Sequence, residues 1–213
     1  MKDREFFDKQ YEKPMDAPWT HEKPPQELVD VIESGKVKPG KAIDLGCGEG
    51  FHDIYLASKG FDVTGMDFSE KAIIYAIGNA KKSGYNIKFS HTDMLTGLKE
   101  INDKFDFVLE WAIMHSVPYE KREEYVKDVW NILNEKGKYL CVCFNSNSSF
   151  MGKPGDRIRK LPGGSALYFS SREELIELFG EFFNILEYKK MRILVKEPDE
   201  KYEGNFFLLE KKD

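Results

Sequence analysis

Ala42-Ile43-Asp44-Leu45-Gly46-Cys47-Gly48-Glu49-Gly50-Phe51 is the stretch of this chain best suited to handle a ligand. An apolar run stops at the carboxylate of Asp44, and glycines follow at alternating positions, Gly46, Gly48 and Gly50. Without a Cβ, such a turn can take positive φ and let a ligand lie on the main chain. The helix that follows adds unpaired N–H groups at its first turn. The spacing is G-x-G-x-G. A dinucleotide fingerprint, G-x-G-x-x-G, needs a glycine where Phe51 stands. Three more acids, Asp67, Asp93 and Glu110, close later apolar runs. Buried carboxylates are costly unless paired, so four acids at strand ends point to a ligand site rather than to packing. His115, shortly after Glu110, has a pKa suited to proton transfer. It reads equally well as a pocket histidine that fixes a loop.

The elements that must position these residues alternate. Residues 42–45 read as strand one, and a helix runs from Phe51 to Gly60. Strand two is 61–66, closed by Asp67, and Ser69 caps a helix over 70–82 with Ala72, Ile73, Ala76 and Ile77 as its core stripe. Strand three is 86–90, ahead of Asp93. Strand four is 105–109, ahead of Glu110 and Trp111. Pro118 starts a long helix with Val126, Val129, Trp130 and Leu133 buried, and 134–137 turn into strand five, 139–144. Ser171 and Glu174 form a capping box for a further helix. Strands six and seven, 183–188 and 206–210, flank a polar loop through Pro198, Asp199 and Gly204. No helix separates them, so they pair as an antiparallel hairpin. Alternation through strand five implies a parallel sheet there. Ahead of it, Phe6, Phe7 and Tyr11 have helical spacing, and Pro24-Pro25 open a helix over 26–33 with Leu28, Val29 and Ile32 buried.

Length and composition suit one domain: 213 residues, 41% hydrophobic and 32% charged. A net charge of −5 argues against a nucleic-acid footprint. Arg157, Arg159 and Lys160 make one small basic cluster, read as a solvated loop. No apolar run approaches the length of a membrane helix, and no signal peptide is evident, so the expected location is cytoplasmic, with no membrane contact. Cys47, Cys141 and Cys143 read as reduced and structural, with Cys141 and Cys143 facing one side of a strand. The four histidines show no metal-ligand spacing.

Taken together, the strand, Asp44, the G-x-G-x-G turn and the helix resemble the first motif of class I S-adenosylmethionine-dependent methyltransferases. The resemblance implies an α/β, Rossmann-like fold: a seven-stranded, mostly parallel sheet of order 3-2-1-4-5-7-6, last strand antiparallel, with helices on both faces. It implies S-adenosyl-L-methionine as cofactor and S-adenosyl-L-homocysteine as product. Cofactor contacts are then expected from Trp19, Asp44, Gly46, Cys47, Gly48, Gly50, Asp67, Phe68, Asp93, Met94, Glu110 and Trp111. Asp67 would take the ribose hydroxyls, Asp93 the adenine amino group with Met94 against the ring, and Asp44 would face the methionine end. Residues 105–117 resemble the fourth motif and the loop after it, which puts Glu110 and Trp111 beside the transferring methyl and makes Glu110 and His115 the candidate catalytic residues. The Asn-Pro-Pro-Tyr pattern of base-amino methyltransferases is absent, which argues against nucleobase amines.

Ala17-Pro18-Trp19, Pro24-Pro25-Gln26-Glu27-Leu28 and Tyr168-Phe169-Ser170-Ser171-Arg172-Glu173-Glu174-Leu175 resemble the thiopurine and thiol or halide methyltransferase branch. The branch's common Gly-Arg pair is missing at Thr20-His21-Glu22-Lys23. The expected acceptor is a small molecule: a thiol, a halide, an amine or similar. Two other classes remain: a non-catalytic cofactor-binding protein and an NAD-dependent oxidoreductase. The expected organisation is a single domain, 1–213: an N-terminal lid and helix (1–40), a cofactor-binding core (41–144), a long loop (145–168), and a C-terminal helix and hairpin (169–213). The aromatics of 6–19 would cover the site, and glycines at 152, 155, 163 and 164 would let the long loop hinge. The sequence leaves the oligomeric state open.

Overall fold

The computed structural model describes residues 2–161, 166–194, 196 and 202–213, with side chains from Phe6 onward. Gly163, Gly164, Pro198 and Asp199 lie outside the described residues. Seven helices and nine strands are described: α1 Lys2–Gln10, α2 Gln26–Glu33, β1 Lys41–Leu45, α3 Phe51–Ser58, β2 Asp62–Asp67, α4 Glu70–Ser83, β3 Lys88–His91 and α5 Met94–Gly97. They continue with β4 Phe105–Trp111, α6 Arg122–Ile132, β5 Leu133–Phe144, β6 Ile158–Lys160, β7 Ala166–Tyr168, α7 Arg172–Gly180, β8 Phe183–Arg192 and β9 Glu203–Lys211.

The main sheet has the order β3-β2-β1-β4-β5-β9-β8. With the separate β6–β7 pair set aside, this is the expected 3-2-1-4-5-7-6. The pairs from β3 across to β5 are parallel, while β9 runs antiparallel to both β5 and β8. A register irregularity interrupts the β8–β9 ladder between Ile185 and Glu187. Strand alternation sends neighbours to opposite faces. Ile43, Leu45 and Val108 pack under α6 and α7, while Ala42, Phe107 and Leu109 pack under α2 and α3. The central strands are thus covered on both sides, as a parallel sheet requires.

The helix ends follow their sequence signals. Ser69 accepts the N–H of Ala72, Lys81 and Lys82 complement the last turn of α4, and Gly84 closes it in the left-handed region. Ser171 and Glu174 form the full capping box on α7.

Several expectations change. Ile77 is 52% exposed, and Ala80 completes the buried stripe of α4 instead. On α2, Val31 rather than Val29 joins Leu28 and Ile32 in the core. On α6, Tyr125 and Ile132 are buried, Trp130 is half-buried, and Leu133 already belongs to β5. Residues 134–137 lie inside β5 rather than in a turn, with Lys136 at positive φ. Strand four, expected to end at Leu109, runs on to Trp111. Within the long loop, β6 and β7 pair as an antiparallel ladder. Arg159 on β6 is not solvated: it is buried, its guanidinium donates to the carbonyls of Phe150, Lys153 and Asp156, and it lies 3.9 Å above the Phe169 ring.

Candidate functional site

A cavity of about 1310 Å³ opens at the carboxyl ends of β1 to β5, the place where ligands of such sheets bind. The glycine turn forms its floor. Gly46 and Cys47 donate their N–H groups to the Met66 carbonyl at 2.7 and 3.0 Å, which ties the turn to the end of β2. Gly48 has φ +54°, and a Cβ there would come within 3.0 Å of the Tyr11 hydroxyl. The Gly48 N–H donates to Asp67 Oδ2 at 2.9 Å, and Asp67 Oδ1 accepts the Ser69 N–H at 2.8 Å. Burial pushes the Asp67 carboxyl up to about 6, with these backbone N–H groups opposing the rise.

The expected contact residues divide into two sets. Trp19, Gly46, Cys47, Gly48, Asp67, Phe68, Asp93, Met94, Trp111 and His115 line the cavity. Asp93 also caps α5, accepting the Leu95 N–H at 3.0 Å. Cys47 is buried among acids, which raises its thiol pKa and suits a packing role. Asp44, Gly50 and Glu110 do not line the cavity. Gly50 starts α3 at φ +78°, and its missing side chain admits Ala76 and Phe89, so it serves helix packing.

Glu110 corrects the expectation that it sits beside a reacting group. Because β4 continues through Trp111, Glu110 and Trp111 must point to opposite faces. Trp111 enters the cavity, whereas Glu110 is fully buried on the α6 side. Its carboxylate accepts from the hydroxyls of Tyr125, at 2.9 Å, and Tyr139, and Cys141 Sγ lies 3.7 Å away. Burial raises its pKa, and the two tyrosines counter the rise.

Asp44 faces the α3 side, where it meets Asp53. Both are buried, and no donor among the described residues reaches any of their four oxygens. Gly65, opposite Asp44 on β2, leaves the space that the Asp53 carboxylate fills. Burial and then the second carboxylate raise the Asp44 pKa well above the ordinary carboxylate value, while burial pushes Asp53 up to about 7. A proton held between them would join one oxygen of each, which eases the repulsion of two buried carboxylates. His52 Nδ1 is 3.9 Å from Asp44. Its ring lies 5.7 Å from Trp111, and burial brings its pKa down to about 4.

His115 reaches the cavity 4.3 Å from the Phe144 ring, with a buried Nδ1 that finds no partner among the described residues. Burial first, and then the Arg122 guanidinium, bring its pKa down to about 3, so the imidazole is neutral and a weak base. Arg122 is itself buried, donating to the carbonyls of Met114, Val117 and Tyr168 and to the Ser170 hydroxyl. It fixes the loop that carries His115.

The N-terminal segment crosses the cavity. Phe7 packs against Trp19 and Phe68, and Trp19 Nε1 donates to the Tyr11 hydroxyl at 2.8 Å. Ser69 donates to Asp8 at 2.5 Å. Glu49, between Gly48 and Gly50, takes the Met15 N–H, while Lys196 donates its own N–H to the Pro18 carbonyl. Tyr11 belongs to the aromatics expected over the site, whereas Glu49, His52 and Arg122 were not anticipated there. Glu49 carried no signal, because its partner is the main-chain N–H of Met15, 34 residues away, and Arg122 carried little, because three of its four partners are main-chain carbonyls.

No group of three or more His, Cys, Asp or Glu among the described residues could hold a metal, and no described helix is long and apolar enough to cross a membrane. Residues 42–137 match the methyltransferase-domain family. A 2-heptyl-1-hydroxyquinolin-4(1H)-one methyltransferase of Mycobacteroides abscessus is 31% identical over 60% of this chain and 56% of its own length. Thiocyanate methyltransferase 1 of Brassica oleracea is 25% identical over 65% of this chain and 61% of its own length. The chain therefore spans little more than half the length of these relatives. In fold it is similar to the 1,6-didemethyltoxoflavin-N1-methyltransferase of Burkholderia thailandensis, with a TM-score of 0.79, 19% identity, and coverage of 100% of this chain and 88% of that one.

Proposed function

We propose that the chain is a class I methyltransferase that transfers a methyl group from S-adenosylmethionine to a small-molecule acceptor, a reading supported by the match of residues 42–137 to the methyltransferase-domain family. The observation that carries this is the joint between Gly48 and Asp67. A bare main-chain turn and a strand-end carboxylate meet at 2.9 Å on the floor of one cavity. That arrangement fits a ribose, whose hydroxyls can donate to the remaining lone pairs of Asp67. Asp93, Met94 and Phe68 fit an adenine ring, offering one acceptor and two apolar faces. When bound, the cofactor supplies a methyl on a positive sulfur, which keeps the carbon–sulfur electron pair as the acceptor's own pair forms the new bond.

The chain's residues bind, orient and exclude water. Trp19 and Trp111 offer aromatic faces that favour a cation. Tyr11, seated on Gly48, closes the turn from above. His115 lines the cavity and is neutral, its pKa brought down to about 3, so it is suited to contact an acceptor rather than to remove a proton from it. Glu110, away from the cavity, has a structural role. The proposal takes the chain as one unit in the cytoplasm. Residues 6–19 act as a cover that tightens on ligand, and the loop and hairpin after β5 wall the acceptor.

Calorimetric titration with S-adenosylhomocysteine and with NADH tests the reading. Binding of the first and not the second is the expected result, followed by methyl transfer on an acceptor panel of thiols, amines, hydroxyl compounds and halides. Binding of NADH alone refutes it. Tight cofactor binding with no turnover on the whole panel favours a non-catalytic binding protein.

A further inference from the structure

α4 buries one stripe and shows another. Ala72, Ile73, Ala76 and Ala80 pack inward, whereas Ile74 and Ile77 are 57% and 52% exposed. At 3.6 residues per turn, Glu70, Ile74, Ile77 and Lys81 fall within about 60° of arc, so the four line one outward face of the helix. Neither isoleucine packs against the apolar clusters of the fold, and Glu70 and Lys81 are exposed with no ion pair among the described residues. Gly78, four residues after Ile74, borders the same face. A Cβ there would meet nothing within 4 Å. A glycine inside a helix costs roughly 0.5–1 kcal/mol against alanine, and no neighbour in this chain requires it.

The order of the four residues is symmetric. Glu70 and Lys81 lie equally far from the midpoint between Tyr75 and Ala76, and so do Ile74 and Ile77. Turned end for end about that midpoint, the stripe sets acid on base and isoleucine on isoleucine. The helix macrodipole accounts for an acid in the first turn and a lysine in the last. It does not account for two isoleucines in water between them. A two-fold contact does, because there one patch must be complementary to itself. Glu70 and Lys81 are about 16 Å apart along the axis. An antiparallel helix pair matches both charges at once, whereas a parallel pair would set acid on acid and base on base.

We propose that α4 is the surface through which two copies of this chain associate, antiparallel about a two-fold axis. Ile74 and Ile77 of both copies form the centre, Glu70 of each copy faces Lys81 of the other, and Gly78 lets the helices approach closely. Removing the isoleucines from water drives the association, and the charge pairs fix its direction. A standard interface buries about 800 Å² on each partner, more than one helix stripe offers, so the dimer dissociates on dilution. Tyr75 and Asn79, on the other side of α4, donate to the main-chain carbonyls of Glu12 and Glu49. The contact therefore lies away from the glycine turn and its cover, and it stands independently of the methyltransferase reading.

Sedimentation equilibrium of the full chain, from micromolar to millimolar concentration, tests the proposal. The average mass should climb from that of one chain toward that of two. Ile77→Lys should weaken association about tenfold or more, because it puts a charge into the apolar centre twice per dimer. Glu70→Lys and Lys81→Glu should each weaken it to about the same extent by setting like charges opposite one another. Mixed in equal amounts, these two charge variants should associate with each other to within about threefold of wild type, since each offers the sign that the other lacks. The double variant Glu70→Lys with Lys81→Glu should likewise recover self-association. Every substituted side chain is exposed, and a cooperative melting transition shows that each variant is folded. A wild-type chain that stays monomeric throughout the range overturns the proposal. So does a dimer indifferent to the charge variants, or a mixture of the two that fails to recover.

Discussion

Glu49 accepts the main-chain N–H of Met15 through both carboxylate oxygens, at 2.9 and 3.2 Å. The bond joins the glycine turn directly to the segment that covers it, and Met15 adopts a positive φ of 66° where it is held. Glu49→Ala should loosen residues 11–20, seen as faster hydrogen exchange there, and weaken S-adenosylhomocysteine binding about tenfold or more, the scale of a hydrogen bond to a charged group. Glu49→Gln keeps one acceptor oxygen and should recover most of the affinity. Removal of residues 1–20 should suppress turnover while the sheet stays folded. Unchanged exchange in Glu49→Ala would separate the turn from its cover.

Asp67→Ala should cost roughly 1.5–3 kcal/mol of cofactor affinity. It should also lower the melting midpoint, because the same carboxylate holds the N–H groups of Gly48 and Ser69. A folded variant with wild-type affinity in calorimetry would remove Asp67 from the site.

Gly48→Val should abolish cofactor binding, since its Cβ would press on Tyr11 and its branches on the bound ligand. At φ +54° a β-branched residue is strained, so some stability is lost as well. Tyr11→Phe in the same background relieves part of the contact at the hydroxyl. Its effect on the melting midpoint separates crowding from backbone strain.

Asp53 illustrates the sign of the pH effect. Its folded pKa of about 7 lies above the ordinary 3.8, so the folded chain holds a proton that the unfolded chain releases across that window. The associated stability is complete below about pH 4 and is lost as pH rises through 7. Asp53→Asn should therefore melt higher than wild type at pH 8, by about 2–4 °C for each kcal/mol relieved, with the gain shrinking toward pH 4.5. A gain that is constant with pH would mean the carboxylates do not share a proton.

Glu110→Gln should change stability more than chemistry. Glu110→Ala should cost about 2–3 kcal/mol or more, because it strands the Tyr125 and Tyr139 hydroxyls in the interior. Turnover by folded Glu110→Gln within a few fold of wild type is the expected outcome, and a loss of a hundredfold or more would return Glu110 to catalysis. His115, with its pKa down to about 3, should contribute no inflection to turnover between pH 5 and 8.

The alternation of strands and helices and the closing hairpin were legible in the sequence, while the order of the strands came with the family resemblance carried by Asp44 and the G-x-G-x-G turn. Asp67, Asp93 and Met94 were legible because a strand end and a loop start are close in sequence. Glu110 was misjudged by two residues of strand length. Once β4 extends to Trp111, pleating alone decides which of the pair sees the cavity. Arg159 was unreadable as a buried residue because main-chain carbonyls satisfy it, and carbonyls leave no trace in residue type. The same holds for the bond from Glu49 to Met15.

The irregularity between Ile185 and Glu187 bears on how the molecule behaves in company. β8 ends the sheet, and Ile185 and Leu186, two of its exposed apolar residues, fall at that break. A flat strand with such residues would template pairing with the edge of another molecule. Here the ladder is twisted out of register at that point, and Lys189 and Lys190 follow along the same strand. The outer strand of the sheet thus combines a broken ladder with a pair of lysines, two features that discourage strand-to-strand pairing at an edge.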